Sequence, residues 1–106
     1  MSLNIFGTDI ELQTEEVCYR GGKVTVSEIT DEEYHHYVTL AMADKPHDDP
    51  EEIAVFNSEA TLRMLAVCLM PALQRPFDEI YDDLRTPGKY SRGAIQALIV
   101  GMNKAN

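Results

Sequence analysis

The stretch VCYRGGKVTVSEIT, residues 17–30, decides the predicted fold, because it holds two strands, a tight turn and a helix start. A two-residue turn at Gly21-Gly22 would pair Tyr19 with Val24 and Val17 with Val26, and glycine supplies the positive φ angles that such turns require. The alternation then separates two faces. One face carries Val17, Tyr19, Val24 and Val26, and the other carries Cys18, Arg20, Lys23 and Thr25. We therefore predict a half-buried β-hairpin over residues 15–29.

The segment before the hairpin, residues 1–14, is less regular, and we expect part of it to be disordered. Ile10 and Leu12 alternate with polar residues and could add a third strand. Their even-numbered phase does not continue into Val17, so a third strand would require a bulge or bend within residues 14–16.

A helix is predicted to begin directly after the hairpin. The sequence TDEE at 30–33 has the form of a capping box. In this motif the Thr30 side chain accepts a hydrogen bond from the backbone N–H of the third helical residue, and the Glu33 side chain accepts one from the backbone N–H of Thr30. An apolar stripe at helical spacing follows up to about residue 43. It consists of Tyr34, Tyr37, Val38 and Ala41.

The remaining sequence predicts a series of short helices. Asp49 and Pro50 start one that continues over Ile53–Phe56, and Asn57 or Ser58 caps a central apolar helix. Two prolines, at 71 and 76, bound a linker, and helices then start at residues 78 and 91. The predicted fold is α+β, a single domain over residues 1–106, with the hairpin followed by four or five short helices around one core in a helical region over 30–104.

The charge of the chain excludes the common modes of binding to phosphates. Its net charge is −9, and phosphate neutralisation requires clustered Lys and Arg, so we expect no nucleic acid partner and no anionic lipid surface. Residues 28–60 hold ten acids against Lys45 alone, whereas the chain from residue 84 onward has four basic residues and no acid. These halves could attract each other within one molecule or between two, so a homo-oligomer is an open alternative to solvated helix faces.

No targeting or membrane segment is predicted. The longest apolar run, Met64–Met70, is far shorter than the roughly 20 residues that a bilayer requires. The opening MSLN lacks the features of a signal peptide, which favours the cytoplasm. In that reducing compartment Cys18 and Cys68 are expected to be small buried hydrophobes rather than a disulfide.

The sequence gives little support for catalysis or for a cofactor. His47 stands near four acids, but the spacing matches neither an EF-hand loop nor a zinc pattern. Cys68 lies in an apolar run, where a thiol is inert, and no nucleophile motif surrounds Ser91. We predict a protein that is not an enzyme, with no catalytic residue, metal site or cofactor.

The order of these elements resembles the small tail assembly chaperones of long-tailed bacteriophages. The resemblance extends over about residues 15–104, and one departure is the linker MPALQRP, where many relatives have an acidic-glycine turn. In the hairpin and first helix start it rests on Gly22, Lys23, Val24, Val26, Ile29, Thr30 and Glu33. Further along the chain it rests on Leu62, Ala66, Cys68, Leu69, Phe77, Asp78, Ile80, Leu84, Leu98 and Asn103.

The resemblance implies a function in the host cell cytoplasm during virion morphogenesis. Such a chaperone binds the long helical tape measure protein, keeps it soluble and helps to recruit tail tube subunits. We expect aromatic side chains to contact the partner, since amphipathic aromatics are enriched at interface hot spots. The candidates are Tyr34, Tyr37, Phe77 and Tyr81.

Three alternatives stay open at this point. The four aromatic residues could simply fill a small core, because each buries a large area. The protein could be an acidic interaction protein or nucleic-acid mimic that inhibits a DNA-binding protein, although its acids concentrate at helix starts, where capping and the helix dipole explain them. A small hydrolase or metal enzyme would need His35, His36 or His47 gathered with carboxylates in one pocket.

Overall fold

A computed structural model describes residues 12–45 and 48–106. In chain order the elements are β1 (Thr14–Tyr19), β2 (Gly22–Ser27), a helix α1 over residues 31–42, α2 (Pro50–Leu73), α3 (Phe77–Arg85) and α4 (Arg92–Ala105). The architecture is α+β, as predicted, with a two-stranded antiparallel hairpin followed by four helices.

The hairpin keeps the predicted faces but not the predicted partners. Val17 pairs with Val24 and Tyr19 with Gly22, so each residue is displaced by two positions along the opposite strand. The turn residues are Arg20 (φ 50°) and Gly21 (φ 83°) instead of the two glycines. A shift of two positions leaves every side chain on the same face, so the apolar pattern could not distinguish the two registers.

The start of the hairpin also differs from the prediction. Pairing runs without interruption from Thr14 opposite Ser27 to Tyr19 opposite Gly22, so the bulge expected within residues 14–16 is absent from this described stretch. Within the described residues the sheet has two strands. Ile10, on which the third strand depended, and the expected disorder of most of residues 1–14 lie outside the described residues.

Helix α1 begins at the predicted capping box. The Glu33 backbone N–H donates to Thr30 Oγ1 at 3.1 Å, and Glu33 Oε1 accepts from the Thr30 backbone N–H at 3.1 Å. The middle of the helix, His35–Thr39, is π-helical between the α-helical segments Asp31–Tyr34 and Leu40–Met42. Because a π turn takes up one extra residue, the next buried position after Val38 is Met42 instead of the predicted Ala41.

Helix α2 replaces two predicted helices. Asp49 Oδ1 caps its start by accepting from the Glu52 backbone N–H at 2.9 Å, and the helix then continues through Asn57 and Ser58. Continuing a formed helix adds one backbone hydrogen bond per residue, which outweighs the weak preference of Asn and Ser for caps. The helix also includes Pro71, because packing of the preceding turns offsets the cost of a proline. It ends at Leu73 and is followed by the cap residue Gln74, which has a positive φ of 51°.

The core surrounds the second half of α2. Its buried residues are Leu65, Ala66, Val67, Cys68 and Leu69. They cover all sides of the helix, because β2, α1, α3 and α4 each pack against α2. From the sheet Val26 contributes a fully buried side chain, and Leu98 and Met102 contribute from α4.

Helix α4 packs against β1 through small residues. Gly101 is buried under the hairpin, where an added Cβ would overlap the Cγ2 of Val17. Gly93, two turns earlier, lies below the Tyr19 hydroxyl, which is also 3.2 Å from Ser91 Oγ. The small residues of α4 therefore set how closely the sheet approaches the helices.

By length and composition α2 is apolar enough to cross a bilayer. The relevant window has a mean hydropathy of 1.4, and 28% of it is buried in the fold. The apolar run Met64–Met70 ends before Pro71, whereas the helix includes that proline. Core helices of soluble proteins pass the same test, so this is weak evidence for a membrane span. In α2 the second half is buried in the core.

Candidate functional site

The first half of α2 leaves its apolar side chains largely uncovered. Ile53 and Ala54 are exposed, and Val55 is 66% exposed. The buried residues of this helix begin only at Leu65, three turns further along. Four consecutive apolar residues, Ile53–Phe56, point about 100° apart, so a helix that packs against α1 on one side cannot bury them all. This half of α2 therefore presents apolar surface to solvent.

Beside this exposed segment runs an open groove between α1 and α2, which we call the α2 groove. It comprises two adjoining depressions of about 360 and 320 Å³ that share Met42 and Phe56. Its apolar lining consists of Tyr34, Val38, Met42, Ala43, Val55, Phe56 and Ala60. Each depression has room for a few side chains.

One end of the groove has an acidic rim. Glu51, Glu52 and Glu59 line the larger depression together with Lys45. Lys45 Nζ lies 3.7 Å from Glu59 Oε2, so the lysine offsets the negative charge of Glu59. Glu52 Oε2 accepts from the Asp48 backbone N–H at 3.2 Å. The groove thus combines an apolar floor with a net negative rim.

Of the four aromatic residues predicted to contact a partner, only Tyr34 lines the groove and is well exposed, at 42%. Phe77 and Tyr81 are 6% and 5% exposed and belong to the core, and Tyr37 is half-buried. The rings of Tyr37 and Phe77 are 4.6 Å apart, and those of Phe77 and Tyr81 are 5.4 Å apart. The structure therefore brings three of the four together as a packed stack and separates Tyr34 from them.

Arg63 of α2 holds this aromatic stack in place. Its Nε donates to the Tyr37 backbone oxygen at 2.7 Å, inside the π-helical segment of α1. Its guanidinium lies 5.1 Å from the Phe77 ring centre and 4.8 Å from that of Tyr81. Arg85 covers the Tyr81 ring at 4.2 Å. The cation–π contacts join α2 to α3, and the hydrogen bond to Tyr37 and its ring contact with Phe77 add α1.

The titratable groups with shifted pKa values have structural explanations. Burial raises the pKa of the Cys68 thiol to about 11, which leaves it protonated and unreactive at neutral pH. Hydrogen bonds from Lys89 and Arg75 lower the pKa of Asp83. Arg75 Nη1 and Lys89 Nζ lie 2.7 and 2.9 Å from its carboxylate oxygens, so Asp83 ties α3 to the segments on both sides.

The two cysteines differ from the joint prediction. Both are free thiols, but only Cys68 is buried, and Cys18 is exposed on the outer face of the hairpin. No group of three or more His, Cys, Asp or Glu side chains in residues 12–45 and 48–106 is placed to hold a metal ion. His47, on which a metal candidate depended, lies outside these ranges.

The residues that sequence reasoning missed are those of the exposed half of α2. Ile53–Phe56 was predicted to be a short helix and was given no role. The available signal was the unbroken apolar run directly after a capped acidic start, since such a run must expose part of its surface.

No family model, curated protein or solved structure matches this chain.

Proposed function

We propose that the protein is a tail assembly chaperone of a long-tailed bacteriophage, without catalytic activity, that acts in the host cytoplasm. It binds helical segments of the tape measure protein, keeps that protein soluble and helps to recruit tail tube subunits. The single observation that carries the proposal is the exposed apolar half of α2 beside the α2 groove. Family membership itself rests on the sequence resemblance.

The shape and lining of the groove suit a helix more than a small ligand. An amphipathic helix contacts such a surface through side chains at i, i+3, i+4 and i+7, and two adjoining depressions can receive successive turns. Val55 and Tyr34 stand at its edges, where they would be covered by the partner. The floor is formed by Phe56 and by the buried Met42, so the surface is largely formed before binding.

The size of this surface favours a reversible complex. Stable interfaces bury about 1,600 Å² in total, and a groove lined by a handful of side chains provides less. We expect a dissociation constant of about 1 µM, which corresponds to roughly −8 kcal/mol. An assembly factor must release its client, so a moderate affinity is consistent with the proposed role.

The acidic inhibitor is less well supported by the arrangement of carboxylates. A nucleic-acid mimic needs carboxylates along one continuous face. Here Thr30 and Glu33 form a capping box, and Asp49 and Glu52 bond to backbone N–H groups at the start of α2. Capping explains these acids without a DNA-binding target.

The test is co-expression with the tape measure protein encoded by the same genome. We expect the tape measure protein to remain soluble and to co-elute with the chain. Val55→Gln removes an exposed apolar side chain from the groove, and Val100→Gln on α4 is the matched control, since Val100 is also an exposed helical valine at 52%. The control should retain co-elution and Val55→Gln should weaken it. A tape measure protein that precipitates with the wild-type chain would refute the proposal.

A further inference from the structure

We propose that the segment bound in the α2 groove is an amphipathic helix of another protein whose apolar face is flanked by lysine or arginine side chains. The inference rests on the proposed function, because it specifies the chemistry of the partner at the same surface. It requires that the acidic rim keep a negative charge that attracts cationic side chains. It also requires that a second copy of the chain and a membrane surface be poorer occupants of the groove.

The rim charges at the start of α2 differ in whether they are already paired. Glu59 is offset by Lys45, and Glu52 is engaged with the backbone at Asp48. Glu51 is exposed and forms no ion pair with the described residues. Asp48 is exposed as well and lies directly before the cap residue of α2. The end of the groove at the start of α2 therefore keeps a negative charge that a bound helix would meet.

The negative charge at this end of the groove favours a cationic partner over a second copy or a membrane. A second copy has the same acidic rim and a net charge of −9, so two grooves facing each other would repel. Of its four basic side chains from residue 84 onward, Arg85 and Lys89 are already paired with Asp82 and Asp83. The other two, Arg92 and Lys104, lie at opposite ends of α4, about 18 Å apart along the helix axis, so they cannot meet the same end of a groove together. An anionic membrane surface is repelled in the same way. A cationic helix from a different protein has the complementary charge.

Ion pairs at the rim should change the affinity for a helix by a measurable factor. Exposed ion pairs contribute a factor of about two to five each to an equilibrium constant. With two or three such pairs at the rim, we expect lysine flanks to strengthen binding by about tenfold over neutral flanks. The advantage should decrease with added salt, because screening acts strongly on exposed charges. Acidic flanks should weaken binding by a similar factor.

The test uses three labelled peptides of about 18 residues, long enough for five helical turns. They share one leucine-rich face and carry lysine, glutamine or glutamate at the flanking positions. Fluorescence anisotropy with the full chain measures their affinities, after circular dichroism has shown equal helicity. Lysine flanks should bind about tenfold more tightly than glutamine flanks at low salt.

Two charge variants locate the effect. Glu51→Gln should reduce the lysine advantage by a factor of about two to five. Asp78→Asn is the matched control, because Asp78 also lies in the first turn of a helix but lines neither depression of the groove. The control should leave the advantage unchanged. An equal effect of both variants would overturn the assignment to the groove.

The outcomes separate this inference from the function on which it rests. If lysine and glutamine peptides bind equally, and Val55→Gln weakens both, the cation preference is wrong and the groove still binds helices. If no peptide binds and the tape measure protein is not kept soluble, both proposals fail. A dimer in sedimentation experiments that Val55→Gln dissociates would identify a second copy as the occupant and overturn the inference.

Discussion

Gly101→Ala tests the packing of the hairpin on the helices. An alanine Cβ at this position would overlap Val17 Cγ2 and lie 3.4 Å from Val26 Cγ2. Both valines are buried and β-branched, so neither side chain can rotate away easily. Overpacking a core costs about 1–3 kcal/mol, and an overlap with two stiff side chains falls at the upper end.

A second term opposes this cost. Replacing glycine by alanine inside a helix gains about 1 kcal/mol in helix propensity. The expected net result is a loss of about 2 kcal/mol in the free energy of unfolding. For a domain of this size that corresponds to a decrease of about 8–16 °C in melting temperature. Urea denaturation followed by circular dichroism measures the change.

Two further variants make this test specific. Gly93→Ala should change stability by less than about 0.5 kcal/mol, because its Cβ would meet only the Tyr19 side chain, at 2.6 Å from the hydroxyl and at 3.3 and 3.4 Å from two ring carbons, and the far end of that side chain can move. Val17→Ala combined with Gly101→Ala should be less destabilising than the two single effects added, since removing the Cγ2 relieves the overlap. A Gly101→Ala variant as stable as the wild type would refute the described packing of β1 on α4.

Three other predictions concern the polar contacts. Arg63→Ala should lower the free energy of unfolding by about 2 kcal/mol, because the hydrogen bond to the Tyr37 backbone and the cation–π contacts with the aromatic stack are lost together. Arg63→Lys should recover only part of this stability, as measured by thermal unfolding. Asp83 has a lowered pKa, so its stabilising contribution is fully present above its ordinary pKa of 3.8 and is lost as the pH falls through the lower pKa of the folded state. Asp83→Asn should therefore reduce the loss of unfolding free energy at acidic pH. An unchanged acid dependence would count against these ion pairs. The buried thiol of Cys68 should react with a thiol reagent only on unfolding, whereas the exposed Cys18 should react at once, and prompt reaction of both thiols in the folded protein would contradict the burial of Cys68. The free energy of unfolding should also decrease between pH 9 and about 11, because the Cys68 thiol ionises first in the unfolded state.

Local signals in the sequence were sufficient for most helix starts. Thr30 with Glu33, Asp49 with Pro50, and Ser91 all begin helices as expected, because each supplies a partner for backbone N–H groups that a helix leaves free. The α+β class followed from these caps together with the alternation in the hairpin.

Helix ends and the hairpin register depend on tertiary packing and could not be predicted from local signals. Asn57 and Pro71 resemble helix boundaries, but the burial of the second half of α2 on every side keeps one long helix intact. Similarly, the hairpin register places the Val17 side chain directly against Gly101 of α4, where only a glycine leaves enough space. This contact joins residues that are 84 positions apart in the sequence. No pattern within the hairpin contains that information.

Of the residues predicted to contact a partner, only Tyr34 lines the α2 groove, for a related reason. Aromatic type identifies residues suited to an interface, but it does not say which of them the fold covers. Phe77 and Tyr81 became core residues because Arg63 packs over both rings and Tyr37 packs against that of Phe77, whereas Tyr34 stayed at the surface. The exposed half of α2 could be recognised only once the neighbouring helices had been placed.

The most direct test of the central claim is site-specific photo-crosslinking during co-expression with the tape measure protein. A photoreactive amino acid is placed at position 55 in the α2 groove or at position 100 on α4. Our account predicts a crosslinked product with the tape measure protein from position 55 and little from position 100. A crosslink from position 100, with none from position 55, would show that the partner binds elsewhere and would contradict the account.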